Sequence, residues 1–407
     1  MNELKDEFPR LRNLEAFPHN EGGKQLILLR DPSHLAEGML VVAPEIFSIL
    51  PLLNGENSLL DIQAELTRRQ GQIVFKEHIE GLLEQLDKAR FLDNRNFRQH
   101  RDTVMSDFRE AKIRPAFHAG ISYPAEAGDL LEFINDLYTG DGGAGLTGPV
   151  QQNRLRALVA PHIDLRLGGP AYTHAYRELG EAEEPDLFVI LGTGHAGLPD
   201  LFSISDKDFE TPLGTASVDK EFLQALKQEL GTADFPEDFS HRSEHTIEFQ
   251  LLFLQHLYRN RMLNILPILV SFSLQDLQDS VRLELFRTFV KGLATVERRT
   301  GKTVCYIASV DLAHIGPRYG DSLWPDQDLI DDTSKKDHEM LEYVTACDPE
   351  GFSEYIRSEN DSRRICGYPP LMTILHLIKG TEGRLLYHGY AQMDETNSFV
   401  TFASLTF

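Results

Sequence analysis

Three apolar, strand-like runs after residue 150 of this chain each lead directly into a histidine or an aspartate. The runs and the polar residues that follow them are 155–160 with His162, 187–191 with His195, and 304–310 with Asp311 and His314. The carboxyl ends of strands in an open α/β sheet gather at one edge, where ligands bind. We therefore expect these side chains to converge in a metal or catalytic centre.

A hydrogen-bonded loop histidine is the ordinary alternative for any one of these residues. The repetition of the pattern at three strand ends favours a shared site instead. Glycines also stand on both sides of His195, at Gly194 and Gly197, which indicates a close approach of the backbone to a ligand.

Apolar runs alternate with helical segments over most of the chain, which is typical of an α/β sheet with helices on both faces. The predicted strands are 155–160, 187–191, 265–271, 304–310, 385–391 and 399–405, and the predicted helices are 220–229, 247–258, 274–296 and 337–346. The glycine-rich stretch 140–148 lacks the Gly-Lys-Ser/Thr of a phosphate loop, so we interpret it as a flexible connection.

Residues 1–95 form a separate pattern. Two short apolar runs, 26–29 and 39–42, precede helical segments, and Ser58 with Asp61 forms a capping-box sequence. We predict a small winged-helix-like α+β domain over 1–95, a polar linker or surface helix over 96–112, and an α/β domain over 113–407. The runs, with segments 49–55 and 82–92, resemble the PqqD-like family, which implies a peptide-binding role; a generic small adaptor is the alternative.

The charge balance excludes some partners. The chain carries 40 basic and 63 acidic side chains, a net charge of −23, so a phosphate backbone is a poor partner and nucleic acid is excluded. No stretch approaches the ~18–20 apolar residues that span a bilayer, and the N-terminus has no apolar signal segment. We expect a cytoplasmic protein with no membrane partner.

The segment 243–250 adds two polar candidates at the start of a predicted helix. His245 and Glu248 are three residues apart and share a helical face. The spacing differs from a zinc-protease helix because Phe249 stands where the second histidine is required. Helix capping by Thr246 and Glu248 is the alternative interpretation.

The last candidate is a thiol. The three cysteines, Cys305, Cys347 and Cys366, form neither a disulfide framework nor a metal-binding CxxC pair. Cys366 precedes an apolar helix and follows Arg363 and Arg364, a setting that favours the thiolate. A small buried thiol is the alternative.

The ordered set of motifs in the second domain resembles the Memo family, also called AmmeMemoRadiSam system protein B. The motifs are RPA at 114–116, YP at 123–124, VAPH at 159–162, LGTGH at 191–195, TPLG at 211–214, EHTIE at 244–248, SVDLAH at 309–314, CG at 366–367 and SFV at 398–400. The resemblance implies a fold like that of class III extradiol dioxygenases. It also implies a metal site with ligands His162, His195 and Cys366, lined by the catalytic candidates Asp311, His314 and His245.

One departure from the family pattern concerns the pocket wall. Where the family continues the first histidine with two aromatic residues, this chain has His-Ile-Asp-Leu-Arg-Leu-Gly-Gly at 162–169, which brings in Asp164 and Arg166. The metal ligands are kept, whereas the wall that contacts a substrate differs.

Three functions fit these observations. Two imidazoles and a thiolate suit iron or copper, with zinc also compatible, and predict a redox or oxygenase-type enzyme acting on a small molecule. The first alternative is a docking protein that binds a radical-SAM enzyme or a peptide through the N-terminal domain. The second is a metal-dependent hydrolase with Glu248 or Asp311 as the base.

Overall fold

The computed structural model of the chain describes residues 8–36, 38–47, 49–232, 238–259 and 261–407. These residues fall into two compact units, Met1–Glu110 and Ala111–Phe407. Each unit has its own hydrophobic core.

The first unit combines a small antiparallel sheet with helices. Its elements are β1 (Glu15–Glu21), β2 (Lys24–Arg30), β3 (Met39–Val42), α1 (Pro44–Phe47), α2 (Leu59–Gln70), α3 (Lys76–Lys88) and α4 (Arg95–Glu110). The strands pair in the order β1, β2, β3. The predicted runs 26–29 and 39–42 lie in β2 and β3, whereas β1 was not predicted because its sequence has no apolar run.

Local sequence signals account for much of this unit. Ser58 caps α2 by accepting a hydrogen bond from the N–H of Asp61, and the Asp61 side chain accepts one from the N–H of Ser58, which confirms the capping box. The turn after β2 is held by Asp31, which accepts hydrogen bonds from the N–H groups of Leu35 and Ala36 and pairs with Arg12 at 2.9 Å. The Asp31 side chain is buried, and the Arg12 side chain is 9% exposed.

Residues 96–112, predicted as a polar linker or a surface helix, are mostly helical. Most of them belong to α4, and Phe97 and Phe108 on this helix are buried. The guanidinium of Arg12 stacks over the Phe97 ring at 3.7 Å. The high charge of the segment suggested a connection, but two aromatic residues among the charges are enough to pack the helix.

The second unit is mixed α/β and is built on a large sheet. Its strands are β4 (Ile113–Arg114), β5 (Ala157–Ala160), β6 (Leu187–Thr193), β7 (Phe202–Ile204), β8 (Asp208–Thr211), β9 (Gly214–Val218), β10 (Asn264–Val270), β11 (Val304–Ser309), β12 (His314–Ile315), β13 (Arg384–Gln392) and β14 (Phe399–Thr406). The strand order is β12-β14-β5-β11-β6-β10-β9-β8-β4, with β13 beside β14 and β7 beside β10. All six predicted strands are present.

Helices cover this sheet. They are α5 (Ala127–Thr139), α6 (Leu165–Gly180), α7 (Lys220–Leu230), α8 (His245–Leu257), α9 (Ser280–Thr300), α10 (Gln327–Thr345), α11 (Pro349–Ser358) and α12 (Tyr368–Leu377). Helix α8 packs with α5 and α6, whereas α12 packs with α9 and α11, and both α8 and α12 contact β6 and β11. Every residue of β5, β6 and β11 is buried, as expected for strands covered on both faces.

Two sequence predictions differ from the structure in detail. The helix expected over 274–296 begins only at Ser280, where Asp279 accepts hydrogen bonds from two N–H groups of its first turn. The loop 140–148, expected to be flexible, is tied to α6 by several hydrogen bonds. Thr173 accepts one from the N–H of Ala144, and Glu181 accepts one from the N–H of Gly148.

The arrangement of three strands positions the candidate site. Strand β11 lies between β5 and β6 and is parallel to both, so their carboxyl ends meet at one edge of the sheet. The residues predicted from those ends follow β5, β6 and β11. Within the described residues, no helix is both long and apolar enough to cross a membrane.

Candidate metal centre

The predicted ligands His162, His195 and Cys366 come together at this edge of the sheet. Their nearest donor atoms all lie within 4.8 Å of one another. The thiol of Cys366 lies 3.4 Å from Nε2 of His162, and the His162 and His195 rings are 4.9 Å apart. Two nitrogens and one sulfur therefore face a common point, although they come from positions up to 204 residues apart in the chain.

His162 forms the buried floor of the centre. Its Nδ1 donates a hydrogen bond to the main-chain oxygen of Ser309 at 2.9 Å, so Nε2 is the nitrogen left for a ligand. Burial and the neighbouring His195 and His245 hold the pKa of His162 well below its usual value. The ring is therefore neutral, which is the form that binds a metal.

His195 is held by Glu244. The Glu244 carboxylate accepts a hydrogen bond from the His195 N–H at 3.0 Å and lies 3.2 Å from its Nδ1. This contact leaves Nε2 of His195 for a ligand. Burial opposes protonation of the ring, but the Glu244 carboxylate and the Cys366 thiol outweigh it and raise the pKa of His195 well above its usual value.

Glu244 is the residue that the sequence analysis missed. It stands at the N-cap of α8, where it accepts hydrogen bonds from the N–H groups of His245 and Thr246, and it also lies 3.1 Å from Nδ1 of His245. Burial alone would raise the pKa of Glu244, but His195 and His245 lower it strongly. The sequence pattern that could have found it is a carboxylate directly before a helix that begins with histidine.

The close approach at Gly192 explains how α8 reaches His195. A side-chain Cβ at Gly192 would lie 2.5 Å from Oγ1 of Thr246 and 2.9 Å from Cγ1 of Ile247. Glycine is therefore needed so that α8 can pack on the end of β6. At Gly194 and Gly197 a Cβ would meet only ordinary contacts or open space, so the close approach that we predicted beside His195 is made by a helix at Gly192.

The turn that carries Cys366 is fixed to the end of β11. The Gly367 N–H donates a hydrogen bond to the main-chain oxygen of Asp311 at 3.0 Å, and the Cys366 thiol lies 3.5 Å from the same oxygen. A Cβ at Gly367 would lie 2.6 Å from that oxygen. The Cys-Gly sequence thus lets the thiol lie against the strand end.

The expected effect of the two arginines on Cys366 is wrong. Arg363 is buried in ion pairs with Asp337 and Glu359, and Arg364 pairs with Asp321. Their charges are thereby neutralised, and burial raises the pKa of the Cys366 thiol. A bound metal cation would supply the positive charge that a thiolate needs.

Two of the three catalytic candidates, Asp311 and His245, lie beside these ligands. Asp311 accepts hydrogen bonds from the N–H groups of His162 and Ile163, and its Oδ2 lies 3.7 Å from Nε2 of His162. Burial raises the pKa of Asp311 to about 6. The ring of His245 stacks parallel to that of His195 at 5.1 Å.

His314 lies farther from the ligands. Its ring packs edge-on against Tyr319 at 5.0 Å, and its Nδ1 lies 3.1 Å from the main-chain oxygen of Leu312. Burial lowers the pKa of His314 to about 4, and the charge of His195 contributes to the shift. His314 therefore belongs to the electrostatic surroundings of the centre, and within the described residues its ring contacts Tyr319 and Leu312 rather than a ligand.

Glu248, proposed from sequence as a hydrolytic base, instead forms a buried ion pair and hydrogen bonds. Its carboxylate is fully buried and pairs with Arg114. It also accepts hydrogen bonds from the Tyr123 hydroxyl and the His118 N–H. No oxygen of this group faces solvent, so Glu248 is a structural residue.

Comparisons with known proteins support the family that the motifs indicate. The family model described as Memo-like protein matches residues 114–406. A MEMO1 family protein of Aquifex aeolicus is 27% identical over 404 residues, covering 98% of this chain and 99% of the relative. MEMO1 family proteins of Methanopyrus kandleri and Methanocaldococcus jannaschii are 32% and 31% identical, each over 66% of this chain and 88% of the relative.

These matches differ in the part of the chain that they include. The Aquifex aeolicus relative is similar over almost the whole length, so the similarity extends into the first unit. The family model covers the second unit, which carries every residue of the candidate centre. On that evidence the chain belongs to the family of Memo-like proteins.

Proposed function

We propose that this protein binds iron or copper through His162, His195 and Cys366 and acts as a non-haem redox enzyme of the oxygenase type on a small substrate. The observation that supports the proposal is that Nδ1 of each histidine already has a partner: Ser309 for His162 and Glu244 for His195. The remaining Nε2 atoms and the thiol form a preorganised donor set. One soft sulfur and two imidazoles suit iron and copper better than magnesium or calcium.

The residues around this donor set have different proposed roles. Iron or copper held there would supply one-electron chemistry with dioxygen. His195 and His245 are half-exposed, so a substrate can enter from their side. Asp311 holds the turn after His162 through two main-chain hydrogen bonds. His245, whose ring stacks on His195, is the proposed proton donor and acceptor, and His314 is a more distant candidate for the same role.

Oxygen uptake tests the redox proposal. The full chain, stripped of metal, is reloaded anaerobically with iron(II), copper(I) or zinc(II) and mixed with dioxygen and a reductant. We expect uptake with iron or copper that is lost in Cys366→Ser. Binding of these metals without any uptake or change in oxidation state would contradict a redox role.

The hydrolase alternative now depends on Asp311 alone, because Glu248 is fully buried. It predicts that the zinc-loaded protein hydrolyses simple esters and that Asp311→Asn abolishes this activity. The same metal-loaded preparations are used in both tests. Ester hydrolysis with zinc, together with no oxygen uptake with iron or copper, would favour the hydrolase.

The other alternative is a docking role. The exposed edge of the small sheet favours it. Strand β3 ends the strand order of that sheet, and its Met39 and Val41 side chains are 60% and 42% exposed. An apolar edge strand can pair with an extended segment of a partner. A peptide or a radical-SAM enzyme is the proposed partner, through a PqqD-like, winged-helix-like unit.

Substitutions on this edge separate docking from catalysis. Met39→Glu and Val41→Glu in the full chain should weaken binding of a purified radical-SAM enzyme in light scattering and leave metal content unchanged. Binding that survives both substitutions would contradict docking through this edge.

A further inference from the structure

Arg114 is a fully buried arginine that contacts the start of α8 and the segment before it at three points. Its guanidinium donates hydrogen bonds to the main-chain oxygens of His241 at 3.0 Å and Glu244 at 2.9 Å, and it pairs with the Glu248 carboxylate. One planar group therefore connects the loop, the N-cap and the first turn of the helix. A buried arginine with its donors used in this way holds the backbone in one position.

Tyr123 completes this cluster from a different loop. Its hydroxyl donates to Oε1 of Glu248, and the N–H groups of Phe117 and His118 donate to the same carboxylate at 3.2 and 2.8 Å. Both arginine and tyrosine belong to the RPA and YP motifs of the sequence. Within the described part of the chain, the hydrogen bonds of both residues go to groups other than His162, His195 and Cys366, so the metal site itself does not explain why they are there.

The cluster reaches the metal centre through Glu244. Arg114 donates to the main-chain oxygen of Glu244, and the Glu244 side chain holds both the N–H and Nδ1 of His195. A shift of the α8 N-terminus would therefore rotate or release the His195 ring. One residue, Glu244, therefore connects the Arg114 guanidinium to His195.

We propose that Arg114 and Tyr123 are positioning residues for the metal centre, acting through Glu248 and Glu244 on the orientation of His195. This inference rests on the proposed metal site. It assigns the two sequence motifs a role in preorganising a ligand that they do not touch. Groups that hydrogen-bond a metal ligand directly, as Glu244 does, commonly change metal affinity by about 10–100-fold when they are removed, and Arg114 and Tyr123 act on His195 through Glu244.

The same unit contains a matched control cluster. The Tyr306 hydroxyl donates to Glu297 at 2.9 Å, and Glu297 also pairs with Arg156. Arg156 precedes β5, whereas His162 follows its opposite end. This cluster has the same contacts between a tyrosine, a glutamate and an arginine as the Tyr123 cluster. It lies at the end of β5 opposite His162.

The experiment compares Tyr123→Phe with Tyr306→Phe in the full chain. Cobalt(II) is the probe, because its absorption reports a bound thiolate and the ligand geometry. Titration gives the affinity, and thermal unfolding of the metal-free proteins measures the structural loss. Arg114→Lys is a third variant, since lysine cannot serve both main-chain oxygens and the carboxylate at once.

We expect both tyrosine variants to unfold at lower temperature. Tyr123→Phe should weaken cobalt binding by about threefold to tenfold and shift the cobalt bands, and Arg114→Lys should weaken it by about tenfold or more. Tyr306→Phe should keep the affinity within about twofold, with unchanged bands, because its cluster lies outside the chain of contacts to His195.

Two results would overturn the inference while the metal site stands. In the first, wild-type protein binds cobalt and Tyr123→Phe binds it with the same affinity and bands. In the second, Tyr306→Phe weakens binding as much as Tyr123→Phe, which would make the effect a general loss of stability. Failure of the wild-type protein to bind cobalt would instead reject the proposed metal site, and this inference with it.

Discussion

The carboxylate of Glu244 lies 3.2 Å from Nδ1 of His195 and 3.1 Å from Nδ1 of His245. One side chain therefore orients two stacked imidazoles whose rings are 5.1 Å apart. The same carboxylate accepts the N–H of His195. A single N-cap residue of α8 thus links the helix to the candidate ligand on the neighbouring strand.

Glu244→Gln tests this link. Glutamine keeps the length of the side chain and can still cap α8, but it cannot hold both imidazoles with a negative charge. We expect metal affinity to fall by about 10–100-fold, measured by competition with a chelator. Asp279→Asn, which changes the N-cap of α9, is the control and should bind metal normally. Equal affinities in all three proteins would reject the role of Glu244.

Gly192→Ala should disturb the contact between β6 and α8. The added Cβ would lie 2.5 Å from Oγ1 of Thr246, so the helix must shift, at a cost of about 1–3 kcal/mol in the free energy of unfolding. Gly194→Ala is the matched control, because a Cβ there meets its nearest atom at 3.4 Å. Denaturant unfolding and metal titration of both variants measure the difference. Equal stability of the two variants would contradict the close approach.

The strand ends explain why sequence could predict part of this site. His162, His195 and Asp311 follow buried apolar runs, and a parallel sheet brings such positions together whatever their separation in the chain. Glu244 could not be found in this way, because its role depends on how α8 packs against Gly192. Cys366 was chosen by family resemblance, and its arginine neighbours misled the charge argument because both are paired elsewhere.

The same contrast holds for the fold. The capping box of Ser58 and Asp61 is a local signal and was predictable. The helix over Arg95–Glu110 was predicted only as one of two options, beside a linker, because its packing depends on Phe97 meeting Arg12 from a distant part of the chain. Composition therefore located the small unit, and the structure groups α4 with it.

Asp31 should make the first unit sensitive to acid. Burial opposes its charge, but the Ser33 hydroxyl, the Ala36 N–H and Arg12 outweigh this and lower the pKa of Asp31. A carboxyl with a folded pKa below its unfolded value of about 3.9 stabilises the fold fully above about pH 5 and loses that contribution as the pH falls below about 4.

Asp31→Asn removes the charge while keeping the shape. We expect it to destabilise the first unit at pH 7 by about 1–3 kcal/mol, because the partly buried Arg12 loses its charged partner. Hydrogen exchange of the segment 24–42 in the full chain measures this loss. The difference between the two proteins should shrink toward pH 3, and a constant difference over that range would contradict the assignment.

Glu248→Gln distinguishes a structural residue from a base. Because Glu248 is fully buried against Arg114, we expect the substitution to lower the free energy of unfolding by about 3–5 kcal/mol. Differential scanning calorimetry measures the effect, with Glu297→Gln as the control for the less buried pair with Arg156. A Glu248→Gln protein that is as stable as wild type would contradict the structural role.

Metal content of the protein purified anaerobically tests the central claim most directly. Elemental analysis is performed on the wild-type chain, His195→Ala and Cys366→Ser, with Cys347→Ser as a control thiol that lies outside the site. The account predicts nearly one iron or copper per chain in the wild-type and control proteins and little in the two ligand variants. A folded wild-type protein without metal, or with a metal content unchanged in both ligand variants, would contradict it.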